Sequence, residues 1–315
     1  MFKVRLFLMT LVLFFCPRHS EAKAPVITDT LKLFTTNDNE LVGLKVWVNG
    51  KPHKFIFDTG CTGYYIHPRI VTDMDYTDSD SFEVVDVHKF KANTREVSVD
   101  LKLSSKLDFK SWPFNVFPAS AAFSKTGIDG IIGFAFIEAI DGQAVKIDKR
   151  TGRFVITRDH YLFSKEKGFT VHYKNNDGVP KVKMKLGKDV KKVWATFDTG
   201  CEGYNSTNLL QLRINDIGQQ YFYGPAQTDK IKKFRNHIKG YGIDNSCGAI
   251  SESLKQKITL LKLDNVTMGK YHFPSCYAIA KKELLSNLIN SRILDLCAVI
   301  INPWRKTITL IPYEK

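Results

Sequence analysis

Phe57-Asp58-Thr59-Gly60-Cys61-Thr62-Gly63-Tyr64 returns 140 residues later as Phe197-Asp198-Thr199-Gly200-Cys201-Glu202-Gly203-Tyr204, with seven of the eight positions unchanged. Such a repeat makes the chain an internal duplication, one unit in each half. In both copies an apolar run, Phe55-Ile56-Phe57 or Trp194-Ala195-Thr196-Phe197, leads into Asp-Thr-Gly. The carboxylate therefore sits where a buried strand breaks into a tight turn that glycine permits. An aspartate at the end of an apolar strand is costly unless it is bonded or paired, and the same feature built twice points to two carboxylates meeting about a pseudo-two-fold axis. Two carboxylates in one site do not both ionise easily. One keeps a proton, the other is a base, and a water between them is a nucleophile.

Two Asp-Thr-Gly loops in matching apolar frames resemble those of the aspartic proteases, which place one such loop in each lobe or subunit. The wording of the loops is nearer the bacterial and retropepsin-like relatives than the vertebrate pepsins. The resemblance implies an all-β, bilobal pepsin-like fold of two pseudo-symmetric β-barrel-like lobes and an aspartic endopeptidase. Its dyad would be Asp58 and Asp198, with Thr59, Gly60, Thr199 and Gly200 holding the loops rigid. An extended peptide or protein would be the substrate, bound between the lobes. The alternative is a catalytically silent peptide-binding or inhibitor-like protein of the same fold.

The first 15 residues carry Lys3 and Arg5 and then an apolar run from Leu6 to Phe15, followed by small-residue cleavage positions ending at Ala22. That pattern predicts a signal peptide over residues 1–22 and an exported protein, secreted or periplasmic. No later apolar run is long enough to span a bilayer. The remaining chain suits two lobes better than one core: an arm or edge strand over 23–40, lobe 1 over 41–157, a charged linker over 158–168 and lobe 2 over 169–315. A monomer is expected. The formal charge is +14, but the lysines from Lys181 to Lys192 alternate with apolar residues, which reads as a solvated sheet face and excludes nucleic acid as the expected partner. Past the leader there are five cysteines, Cys61, Cys201, Cys247, Cys276 and Cys297, so at least one thiol is unpaired. Their spacing matches no zinc pattern and the histidines are dispersed, so neither a metal nor a cofactor is expected.

Alternation over Leu44 to Val48, the turn Asn49-Gly50 and a return from His53 predict a hairpin that delivers Asp58. Tyr64 to Met74 reads as a short helix, and Leu209 to Ile214 as its counterpart. Residues 83–103 read as a hairpin around a polar tip at Lys91 to Arg95, where the related proteases carry the flap over the substrate. Ile131-Ile132-Gly133 is the apolar-apolar-Gly segment that should pass close behind the first loop. Counting back from the C-terminal hairpin places its counterpart at Leu288-Ile289-Asn290, with asparagine in the glycine position.

Overall fold

The computed structural model describes residues 28–36, 40–72, 81–86, 89–117, 127–140, 143–187, 192–202, 208–213, 237–244 and 255–314; the expected leader lies outside them. Alternating apolar and polar residues produce most of the strands, as in Glu96–Lys102, where every second side chain is buried. The first half forms β1 (Thr28–Thr35), β2 (Val42–Val48), β3 (Lys51–Asp58), β4 (Tyr64–Ile66), β5 (Phe82–Val85), β6 (Lys91–Thr94), β7 (Glu96–Lys102), β8 (Asp108–Val116), β9 (Gly130–Gly133), β10 (Ala144–Asp148) and β11 (Arg153–Thr157), with one short helix, α1 (Ala135–Ala139). In the second half lie β12 (Phe169–His172), β13 (Lys174–Asn176), β14 (Val179–Lys185), β15 (Lys192–Phe197), β16 (Asn208–Arg213), β17 (Ile238–Asp244), β18 (Gln256–Met268), β19 (Tyr271–Lys281), β20 (Asn287–Ile289), β21 (Cys297–Asn302) and β22 (Thr307–Pro312), with α2 (Ile293–Leu296).

Six strands in the order β2-β3-β9-β4-β8-β7 close through a β2–β7 pairing, and β14-β15-β20-β16-β19-β18 close in the same way through β14–β18. The two rings correspond strand for strand, which is the duplication seen in the repeat. A third layer, β12-β22-β21-β10-β11-β1, takes three strands from each half and joins them where Val145, Lys146 and Ile147 face Ile301, Ile300 and Val299. The fold is the all-β, two-lobed architecture expected from the sequence. Among the described residues no helix is long and apolar enough to cross a membrane.

Three local expectations fail. Tyr64 to Met74 is not a helix: Tyr64–Ile66 is a strand between β9 and β8, followed by a single 3-10 turn at Pro68–Ile70. A helix there would leave the backbone groups of both neighbours unpaired inside a barrel, and two tyrosines and an isoleucine suit a strand. Leu209 to Ile214 fails likewise, because Asn208–Arg213 is a strand between β20 and β19, buried along almost its whole length. Barrel closure overrides the helix preference of its leucines and glutamine. The hairpin expected over 83–103 forms with a different register: it is β5 with β6, Asp86 and Phe90 face each other at its end, and the expected tip Lys91 to Arg95 is mostly the returning strand. The Asp86 side chain also accepts from the Phe90 N–H at 3.0 Å, while β7 pairs with β8 instead. Residues 28–35, read as an arm or edge strand, are β1, which has β11 on one side and β2 on the other.

Beside the interlobe sheet a row of alternating charge crosses between the halves twice. Arg292 is bonded to Glu40 of the first half and to Asp295 at 3.2 Å, and Asp295 meets Lys149 of the first half at 2.5 Å. Arg292 and Glu40 each expose only 13 % of their side chains. Removing one member of a buried pair strands the other, so Arg292→Met should cost about 3 kcal/mol. Lys91→Met, which breaks the exposed pair with Glu83, should cost no more than about 0.5 kcal/mol. Thermal unfolding of the two variants checks this.

Candidate active site

β3 and β15 bring the two copies of the repeat face to face at the junction of the barrels. Phe57 and Phe197, fully buried, anchor the strand ends, each contributing roughly 2–3 kcal/mol. Beyond them the loops interlock. Thr59 N–H donates to Thr199 Oγ1 and Thr199 N–H to Thr59 Oγ1, both at 3.1 Å. Each hydroxyl then donates across the interface, Thr59 to the Phe197 carbonyl and Thr199 to the Phe57 carbonyl at 2.7 Å. All four bonds are buried and reciprocal, so the loops are held as one rigid unit.

Asp58 Oδ1 accepts from the Gly60 N–H at 2.8 Å, and Asp198 Oδ1 from the Gly200 N–H at 3.0 Å. The two carboxyl groups hydrogen-bond each other. A side chain on either glycine would collide with the opposite aspartate: a Cβ at Gly60 would lie 2.3 Å from Asp198 Cγ, and one at Gly200 2.1 Å from Asp58 Cγ. Both carboxyls are pushed above the usual carboxylate range, chiefly by burial. Asp198 is raised further because the charge of Asp58 faces it, whereas the bond from Asp198 and three backbone N–H groups favour the ionised form of Asp58. Two carboxyls paired in this way do not ionise independently, and their titration belongs to the pair.

Behind each loop runs the segment expected to support it. Asp58 lies beside Gly133 in the parallel β3–β9 pairing, where a Cβ would sit 2.1 Å from the Gly63 carbonyl oxygen. In the second lobe Phe197 lies beside Ile289 and the Asp198 N–H donates to the Ile289 carbonyl at 2.9 Å, so Asn290 occupies the glycine position. Its side chain is fully buried, with Nδ2 donating to the Asn208 carbonyl at 2.7 Å and Oδ1 accepting from the Arg292 N–H at 3.2 Å. The Ser291 N–H still reaches the Cys201 carbonyl, as the Phe134 N–H reaches that of Cys61. The second lobe thus accommodates the extra bulk by bonding it.

Cys61 and Cys201 are half-buried free thiols with pKa values pushed well above the ordinary, first by burial and then by the nearest aspartate. Neither is a nucleophile poised for attack. Cys276 and Cys297 are also unpaired, and Cys247 lies outside the described residues, as do Gly203 and Tyr204 of the second repeat. Among the described residues no three His, Cys, Asp or Glu side chains converge on a point that could hold a metal ion.

Around the loops the symmetry breaks. Tyr65 and Phe117, stacked at 4.9 Å, pack with Cys61 in lobe 1. The matching register positions in lobe 2 are Gln211 and Lys281, both buried, and Gln211 Nε2 lies 3.0 Å from the Cys201 sulfur. Sequence reasoning passed over this pair because it read β16 as a helix. From the first lobe the β5–β6 turn reaches across to the second, with Lys89 Nζ 3.4 Å from Glu283 Oε2.

Residues 44–136 match a protein-family model described as aspartyl protease. The whole fold matches the crystal structure of an aspartic proteinase from Irpex lacteus at a TM-score of 0.52 and 13 % identity, over 91 % of this chain and 98 % of that one. The family match over residues 44–136 and the likeness of fold together support the aspartic protease superfamily. The chain has no match among curated protein sequences. Its likeness to the Irpex lacteus enzyme is one of fold alone, so its chemistry must be argued from its own loops.

Proposed function

We propose that this protease is an exported aspartic endopeptidase in which Asp58 and Asp198 activate one water against a peptide bond. The observation that carries the reading is the reciprocal packing of the two loops, which sets the carboxyl groups of Asp58 and Asp198 against each other, each under the glycine of the opposite loop. Asp58, ionised, takes a proton from the water as its oxygen attacks the peptide carbonyl carbon, and Asp198 gives its proton to the carbonyl oxygen. The tetrahedral diol then collapses. Its C–N bond breaks, the departing nitrogen takes the proton from Asp58, and a diol hydroxyl returns one to Asp198. Export rests on the basic and then apolar character of residues 1–22. An extended polypeptide is the substrate whose shape suits a cleft between two lobes under a hairpin.

Cleavage of a disordered protein across the pH range tests this. Activity requires exactly one proton on the pair, so it should fall in acid as Asp58 is protonated and fall again with rising pH as Asp198 loses its proton. Because both carboxyls are raised, the alkaline limb should lie above the ordinary carboxylate range. A rate still climbing above about pH 8 would rule out the dyad. Binding of the polypeptide without cleavage at any pH would instead establish the silent peptide-binding alternative.

A further inference from the structure

The interlobe linker and the β21–β22 turn carry a cluster that the peptide chemistry leaves unused. Trp304 and Tyr161 are each 59 % exposed and Leu162 44 %. Trp304 stacks on His160 at 4.9 Å, and the Arg305 guanidinium lies 4.7 Å from the Tyr161 ring and 5.8 Å from that of Trp304. Lys306, next to Arg305, and Lys165 and Lys167, farther along the linker from Tyr161, are exposed. The nearby acids are engaged: Glu166 pairs with Lys146 at 2.6 Å, and Asp159 accepts from the Tyr161 N–H at 2.8 Å. Both turns are tied to the sheet, since Asn302 donates to the His160 carbonyl and accepts from the Arg305 N–H.

We propose that this cluster docks the protein on an anionic lipid bilayer. Tryptophan and tyrosine settle at the headgroup level, where an apolar ring with a polar edge is stabilised, and lysine and arginine beside them are drawn to negative headgroups. The formal charge is +14 for the full chain and still about +12 without residues 1–22, which adds long-range attraction of the same sign. A protein partner fits less well. The patch is a few side chains on two adjoining turn tips, whereas a stable protein interface takes roughly 20–30 residues a side. Two preformed tips can enter an interface without ordering new backbone, which keeps the entropic cost of docking low.

Sedimentation of the purified protein with vesicles tests the proposal, using phosphatidylcholine alone and phosphatidylcholine mixed equally with phosphatidylglycerol at moderate salt. The expected result is binding to the mixed vesicles only, with tryptophan emission shifted to the blue. Trp304→Ala and Arg305→Glu should each weaken binding about tenfold or more, at roughly 1 kcal/mol per basic charge, while cleavage of a soluble substrate stays unchanged. Lys51→Glu, the same charge change at an exposed position elsewhere, should shift binding no more than about threefold if the patch is the contact. Tyr161→Ser gives an independent reading should Trp304→Ala fail to fold. Equal binding to both vesicle types, no binding to either, or equal loss in Lys51→Glu and Arg305→Glu would each overturn the proposal.

Discussion

Asp58→Asn, Asp198→Asn and the double variant are all expected to cut turnover by about the same factor, roughly 10⁴-fold, to near background. In the proposed mechanism each aspartate supplies half of one acid–base unit, so removing either leaves no competent water and removing the second costs little more. Stability should move the other way. A carboxyl whose folded pKa is raised stabilises the fold fully below its unfolded pKa, and that contribution is lost as pH rises through the folded value. Asp198 is such a group, raised by burial and by the facing Asp58. Asp198→Asn should therefore melt close to the unaltered protein in acid and increasingly above it as pH rises towards neutral. Thermal melts over that range, with single-turnover rates on a disordered substrate, measure both. An Asp198→Asn variant that kept substantial activity would reduce the second loop to a structural copy.

Gly60→Ala and Gly200→Ala should be nearly as damaging, although neither touches substrate chemistry directly. The added methyl would lie 2.3 Å from Asp198 Cγ in one and 2.1 Å from Asp58 Cγ in the other, where ordinary contact begins at 3.4 Å. The opposite carboxyl must move by about 1 Å, a displacement that costs on the order of 100-fold in rate. The overpacking adds roughly 1–3 kcal/mol of instability. The loss should fall on kcat more than on KM, because the cleft walls are untouched. Gly240→Ala, whose new methyl would meet only Leu260 Cδ1 at 3.8 Å, is the control expected to stay within about twofold.

Much of this site was legible in the sequence because it is written twice. The matched octapeptides identified Asp58 and Asp198, and the terminal hairpins gave the count that placed Asn290 opposite Gly133. The departures have one physical origin. Tyr64 to Ile66 and Asn208 to Arg213 are short segments whose helix-or-strand choice is settled by the barrel neighbours on both sides, and no local pattern carries that information. The hairpin turn lies away from its expected place for a related reason: Lys91 and Asn93 are the solvent side of a strand, and only pairing with β5 reveals it. The Thr59 and Thr199 interlock was expected from the family resemblance, whereas the crossing of each glycine under the opposite aspartate, a contact 138 or 142 residues apart, was not.

That crossing has a consequence for how the duplicated gene could change. Gly60 lies under the aspartate of the other lobe and Gly200 under that of the first, so a substitution in either copy is felt first in its twin. Neither copy was free to wander alone. Positions that face only their own lobe had no such partner, and there the halves have parted: Tyr65 against Gln211, Phe117 against Lys281, Gly133 against Asn290. Seven shared residues in eight mark a place where both copies still have to fit each other.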